Sequence, residues 1–249
     1  MAQAVVNADE RRMSVVEHLA DLRRVLMIAG GAWVATTILA FFFNGRILDF
    51  LLQPLKAVLP KANHLLTGAV YFGPTEGLTV PLKVSAVAGF ILALPIILWQ
   101  VWEFVSPGLR PVERRFAGPF ILSALALFGA GASFAYFVMP IGLNFLATFL
   151  SGNATYFPDS NEYLSFFMML IVIFGVTFEL PVVLVLLGAL GVVSSAWLRQ
   201  RRKAAWVVII FAALVVTPGA DPFTPTALFL PLIVFFEAGI LILDKVFHK

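Results

Sequence analysis

The chain has 249 residues, of which 61% are hydrophobic and 12% are charged, and its formal net charge is +3. A soluble domain carries about 25% charged and roughly 45–50% apolar residues, so this apolar excess does not fit inside one soluble core. The chain is therefore an integral membrane protein, and the absence of cysteine excludes disulfides and thiolate metal sites. Its basic residues lie in short loops beside apolar spans, which is typical of a membrane protein and not of a nucleic-acid-binding protein.

Six apolar runs follow one another, and we predict that each crosses the membrane as a helix. The first run, Val25–Phe43, continues a helix that the capping-box pattern Ser14–Glu17 starts at Val15. It resembles a secretory signal, but such a segment has about 7–15 apolar residues and a small-residue cleavage site, and this run is longer and ends in phenylalanines. The other runs are Val80–Val105, Phe116–Met139, Tyr163–Val193, Ala204–Thr217 and Pro225–Leu243.

The last three runs have unusual lengths. Tyr163–Val193 would form ~46 Å of helix against a hydrocarbon core of about 30 Å, so we expect it to tilt or to bend at Pro181. Ala204–Thr217 would form only ~21 Å and Pro225–Leu243 only ~29 Å of helix. We therefore expect an all-α concave bundle with short helices five and six and a bilayer thinned beside them.

Lys and Arg set the orientation. Thirteen of them lie in the N-terminal tail, in loops 106–115 and 194–203 and in the C-terminal tail, whereas three lie in loop 44–79 and none in loop 140–162. The positive-inside rule places both termini in the cytoplasm. We predict a single six-span domain, 1–249, with a cytoplasmic tail and helix over 1–24. Apolar residues from Ile47 to Leu55 recur at helical spacing, which predicts a short amphipathic helix inside the first external loop.

The stretch Trp99–Arg115 closes the second span, turns and starts the third. Pro107 and Gly108 favour the turn, because Pro fixes φ and Gly admits conformations that other residues avoid. Glu113 stands directly before Arg114 at the start of the third span. A carboxylate in this position either pairs with a neighbouring arginine at the interface or is kept for a cation of a partner.

Glu179 lies near the middle of the fourth predicted span. An acid at the bilayer centre costs about 2.5–3.5 kcal/mol on insertion scales, so it must face protein or water. It is either a polar feature that lets water or cargo approach the midplane, or a protonated partner in a helix–helix hydrogen bond. The three histidines are far apart in sequence, and no nucleophilic triad or phosphate-binding Gly-rich loop occurs. We therefore predict no metal, no cofactor and no enzyme activity.

Six motifs occur in order along the predicted spans. They are His18–Arg24, Gln53–Leu55, Phe104–Arg115, Phe178–Pro181, Thr217–Pro222 and the pair Pro231 and Glu237. In this order they resemble the TatC family, the multispanning subunit of the twin-arginine protein translocase. The chain departs from the usual pattern at Asp21, where the family has Glu, at Val25, where a basic residue often follows, and around Asp221.

The resemblance implies a receptor and core scaffold that binds signal peptides carrying two consecutive arginines, for export of folded proteins through the inner membrane of a prokaryote. It implies that Glu113 receives the arginine pair and that Leu19, Asp21, Arg23 and Phe104 complete the signal-peptide site. It also implies structural roles at the following positions: Pro54, Pro107, Gly108 and Asp221.

The implied partners are the single-span proteins TatA and TatB, further copies of the chain and membrane lipid. No ATPase motif is present, so the energy would come from the membrane gradient or from partners. The alternative function is a proton-coupled secondary transporter of a small solute with Glu179 as the proton carrier. Such transporters are often built from internal repeats, and none is evident here.

Overall fold

The computed structural model describes residues 15–58, 72–150, 159–217 and 222–247, and within these ranges every regular element is helical. The predicted cap at Ser14 and the turn residue Asp221 lie outside the described residues. In chain order the helices are α1 (Val15–Phe41), α2 (Asn44–Val58), α3 (Glu76–Val105), a 3-10 turn (Ser106–Gly108), α4 (Pro111–Arg114), α5 (Ala117–Leu150), α6 (Ser160–Phe178), α7 (Leu180–Ala189), α8 (Ser195–Gln200), α9 (Arg202–Val216) and α10 (Phe223–Phe247).

Five helical segments of the described chain are long and apolar enough to cross a membrane. They are His18–Phe41, Glu76–Gly108, Ala117–Phe145, Ser160–Ala189 and Phe223–Lys245. The fifth predicted span is α9, which has 15 residues, or ~22 Å of helix, and is too short to meet the same criterion. The all-helical membrane fold is confirmed, while the six-span count and the cytoplasmic termini stay predictions.

Two boundaries differ from the sequence-based prediction, and both involve proline. The helix α5 continues through Pro140 to Leu150, because Met139 and Leu143 are buried and hold the chain in the bundle. The prediction of a short sixth helix was wrong, since α10 has 25 residues. Pro225 lies in the first turn of α10, where a missing N–H costs nothing. The short fifth helix is confirmed.

The fourth predicted span is interrupted, as its length and Pro181 indicated. The helix α6 ends and α7 begins at Glu179, with Pro181 in the first turn of α7. Because Pro181 has no N–H, it cannot continue the hydrogen-bond ladder of α6. The break therefore puts the acid itself at the junction of the two helices.

The core is built around α6. Phe167 and Phe174 are fully buried there, and α5 packs closely against this face. A Cβ on Gly131 of α5 would clash with the backbone carbonyl oxygen of Phe174, so glycine permits the close approach of α5 and α6. A second buried cluster, with Leu184 and Ile240, joins α7 to α10.

The amphipathic helix predicted inside the first external loop is α2. It buries Leu51, Leu52, Pro54 and Leu55 against the bundle. The hydroxyl of Tyr163 donates to the carbonyl oxygen of Leu51 at 2.8 Å, which fastens α2 to α6. The buried position of Pro54 fits the structural role that the motif implied.

Candidate functional site

Hydrogen bonds from Arg114 hold the turn between α3 and α5. The amide of Leu109 donates to the carbonyl oxygen of Ser106 at 3.1 Å, and the Leu109 side chain is buried. The guanidinium of Arg114 donates to the carbonyl oxygens of Pro107, at 3.0 Å, and Leu109, at 3.3 Å. These bonds satisfy carbonyl groups that the end of a helix leaves without partners. Pro107 therefore lies in a fixed turn, as predicted.

The helices α1 and α3 form an antiparallel pair along most of their length. His18 stacks on Phe104 with ring centroids 4.4 Å apart, and near the other end the indole of Trp33 donates to the carbonyl oxygen of Ala86 at 2.8 Å. Near Trp33 the two helices approach closely, because Gly89 presents no side chain to the backbone of Thr37. The start of α1 therefore lies beside the turn that follows α3.

This pairing brings together four of the five predicted signal-peptide residues. Leu19 is 59% exposed, Arg23 is exposed and Asp21 is partly exposed, all within the first three turns of α1. Phe104 is partly buried under His18 at the same end. The backbone of Glu113 belongs to α4 in the adjoining turn, and its side chain lies outside the described residues.

The structure bears on the simpler explanation of Glu113. That explanation pairs the carboxylate with a neighbouring arginine, either Arg110 or Arg114. The Arg114 guanidinium already donates to two backbone carbonyl oxygens of the turn. The guanidinium of Arg114 therefore stabilises the turn, and the role of Glu113 stays a prediction.

Glu179 reaches the interior of the bundle. Its Oε1 atom is buried and has no hydrogen-bond partner among the described residues. The helix–helix hydrogen bond expected as one alternative is thus not formed by this atom. The carboxyl group also lies beside the backbone of Phe128 on α5, and both roles expected for Glu179 stay predictions.

Two ion pairs join α8 and α9 to α10, and the sequence analysis predicted neither of them. Arg199 meets Asp244 at 2.7 Å, and the hydroxyl of Ser195 donates to the same carboxylate at 3.1 Å. Arg202 meets Glu237 at 2.7 Å, and this carboxylate also accepts from the indole of Trp206. In the sequence analysis, only the motif that contains Glu237 indicated that this part of the chain is important.

The described residues contain no group of His, Cys, Asp and Glu side chains that could hold a metal ion.

A family model described as Sec-independent protein translocase protein (TatC) matches residues 17–231. The chain belongs to the TatC family.

Individual relatives agree with this assignment, and each of the following is named Sec-independent protein translocase protein TatC. The one from Magnetococcus marinus is 40% identical, with 93% of this chain and 84% of the relative covered. The one from Carboxydothermus hydrogenoformans is 37% identical, with 94% of each covered. The one from Frankia casuarinae is 36% identical, with 94% of this chain covered, and the match spans 66% of its length.

Two crystal structures of the twin-arginine translocase receptor TatC, one of them in DDM, match the fold. Both are 33% identical to this chain, with TM-scores of 0.75 and 0.77. The matches cover 94% and 91% of this chain and 100% and 99% of the solved chains. The protein is thus a multi-pass inner membrane component of the Tat translocase, and a solute transporter finds no support among these relatives.

Proposed function

We propose that this TatC-family protein is the receptor that binds twin-arginine signal peptides at its cytoplasmic face, and that it acts as a scaffold and not as an enzyme. The antiparallel pairing of α1 and α3 carries the proposal, because His18 on Phe104 puts Asp21 at the same end as the turn that contains Glu113. Two acids on neighbouring elements match two consecutive arginines, since the planar guanidinium pairs with a carboxylate through two parallel hydrogen bonds.

The two carboxylates supply selectivity more than affinity. An exposed ion pair contributes about 0–1 kcal/mol, whereas micromolar binding needs about 8 kcal/mol. Most of the affinity must therefore come from the apolar segment of the signal peptide. Leu19, at 59% exposure beside Asp21, supports an apolar contact next to the charged one.

The single-span partners TatA and TatB, and further copies of the chain, are the proposed assembly partners. Glu179 is the proposed polar contact for a partner helix, because its buried Oε1 atom lacks a hydrogen-bond partner within the described chain. A polar side chain on a partner helix would satisfy this oxygen inside the membrane.

Site-specific photocrosslinking tests the receptor proposal. A photoreactive residue is placed at 19, 104 or 113, and membranes are mixed with a twin-arginine signal peptide. The control is position 78, because Leu78 is 61% exposed but lies at the opposite end of α3. We expect crosslinks from the first three positions and not from the control, and their loss when the peptide carries two lysines. Equal crosslinking from position 78 would contradict the proposal.

A further inference from the structure

A groove of about 480 Å³ opens between the end of α3, the start of α5 and the helices α7 and α10. Its lining is apolar and includes Trp102, Leu109, Phe120, Leu186 and Ile242. We call it the α5–α7 groove. The hydroxyl of Ser123, which also faces it, donates to the carbonyl oxygen of Phe120 at 2.8 Å within its own helix. The walls are therefore suited to hydrocarbon.

The size of the groove suits a single apolar chain. Its volume of about 480 Å³ lies within the range of about 300–1,000 Å³ that is typical of pockets for small molecules.

The groove lies on a different face of α3 from the proposed signal-peptide site. Trp102 and Phe104 are two residues apart, which places them about 200° apart around a helix. Phe104 stacks on His18 of α1, whereas Trp102 contacts Phe120 of α5 at 4.8 Å between ring centroids. The groove is therefore a separate surface from the proposed signal-peptide site.

Two exposed cations flank the same end of the groove. Arg115 directly precedes Phe116, which lines the groove, and Lys245 lies one turn after Ile242 on α10. Within the described chain, no carboxylate lies at ion-pair distance from either cation. Asp244, the neighbour of Lys245, is already engaged by Arg199 at 2.7 Å. The rim thus offers positive charge to an anion.

We propose that the α5–α7 groove binds an anionic phospholipid of the cytoplasmic leaflet, with an acyl chain between α5 and α7 and the phosphate between Arg115 and Lys245. Basic pockets between helices on the cytoplasmic side attract anionic headgroups, and each Lys or Arg contributes about 1 kcal/mol. The choice of leaflet rests on the proposed orientation, whereas binding itself does not. The lipid would lie beside the turn that contains Leu109 and would contact the Leu109 side chain.

Native mass spectrometry of the purified chain in detergent tests this inference. Phosphatidylglycerol and phosphatidylcholine with the same acyl chains are the probes. We expect one retained phosphatidylglycerol, and the paired variant Arg115→Gln with Lys245→Gln should bind it about thirtyfold more weakly while its affinity for phosphatidylcholine stays the same. The matched control is Arg201→Gln with Lys203→Gln, which removes two exposed cytoplasmic cations away from the groove and should change neither affinity.

A second variant separates the contribution of the apolar groove to lipid binding from that of the two cations. Ser123→Phe fills the cavity and should abolish retention of both lipids, whereas Leu122→Phe, at a position that is 70% exposed and outside the lining, should not. Equal binding of the two lipids by the wild type would overturn the inference. So would displacement of the lipid by a twin-arginine signal peptide together with crosslinks from its apolar segment to position 123. Because lipid retention is measured without export, its failure leaves the receptor proposal standing.

Discussion

Asp21 and Glu113 are brought to one end of the molecule by elements that lie more than 80 residues apart in the sequence. Asp21 is carried by a long helix, whereas Glu113 belongs to a four-residue helix inside a turn. The turn is held by Arg114, whose guanidinium donates to the carbonyl oxygens of Pro107 and Leu109. The backbone that carries Glu113 is therefore held in place by the hydrogen bonds of Arg114.

The first prediction follows at Glu113. Glu113→Gln keeps the size and hydrogen-bonding capacity of the side chain but removes the charge, so export of twin-arginine substrates should be lost while the protein still inserts. Export of a cofactor-bearing substrate is measured against the amount of protein in the membrane. Glu103→Gln is the control, because it removes an exposed acid from the preceding helix. Normal export by a stable Glu113→Gln protein would remove the residue from the site.

Asp21 should matter less than Glu113. Its side chain is one methylene shorter than the usual glutamate of the family, so it reaches less far toward a guanidinium. We expect Asp21→Asn to reduce signal-peptide crosslinking severalfold, within the ~1 kcal/mol of an exposed ion pair. Crosslink yields from the arginine pair, compared between the two variants at equal expression, check this ranking. A larger loss with Asp21→Asn would reverse it.

At the scale of elements, local patterns predicted the helices but not their contacts. Apolar runs predicted the spans, and helical spacing predicted α2, because both signals depend on neighbours in sequence. Pro140 indicated a break, yet buried Met139 and Leu143 keep α5 continuous, which shows that packing overrides a local breaker. The stack of His18 on Phe104 could not be predicted, since no sequence pattern sets the register of two helices.

Gly89 permits the close approach of α1 and α3. A Cβ at this position would lie 2.5 Å from the Cα of Thr37, so the two backbones must separate when it is added. Gly89→Ala should therefore destabilise the protein by about 1–3 kcal/mol, as overpacking does. Thermal unfolding in detergent measures this loss. Gly77→Ala is the matched control on the same helix, because a Cβ there meets nothing within 4 Å, and an equal loss in both variants would contradict the explanation.

At the scale of the whole molecule, α9 and α10 differ more in length than the sequence indicated. The fifth predicted span, α9, has 15 residues, whereas α10 beside it has 25. At 1.5 Å per residue, α9 covers ~22 Å of a core of about 30 Å. If α9 crosses the membrane as predicted, the bilayer must thin beside it or flanking groups must be drawn inward. Thinning is therefore expected beside α9 and not, as the sequence indicated, beside both helices.

The last prediction joins this thinning to Glu179. The acid stands at the break between α6 and α7, with a buried Oε1 atom that has no partner among the described residues. If water reaches the break through the thinned region, Glu179→Cys in this cysteine-free chain should react with a membrane-impermeant thiol reagent. Val176→Cys is the control, because Val176 is 53% exposed one turn earlier but would face lipid, where the thiol stays protonated and unreactive. Full protection of Glu179→Cys from both sides of the membrane, with normal export, would make Glu179 a packed structural residue.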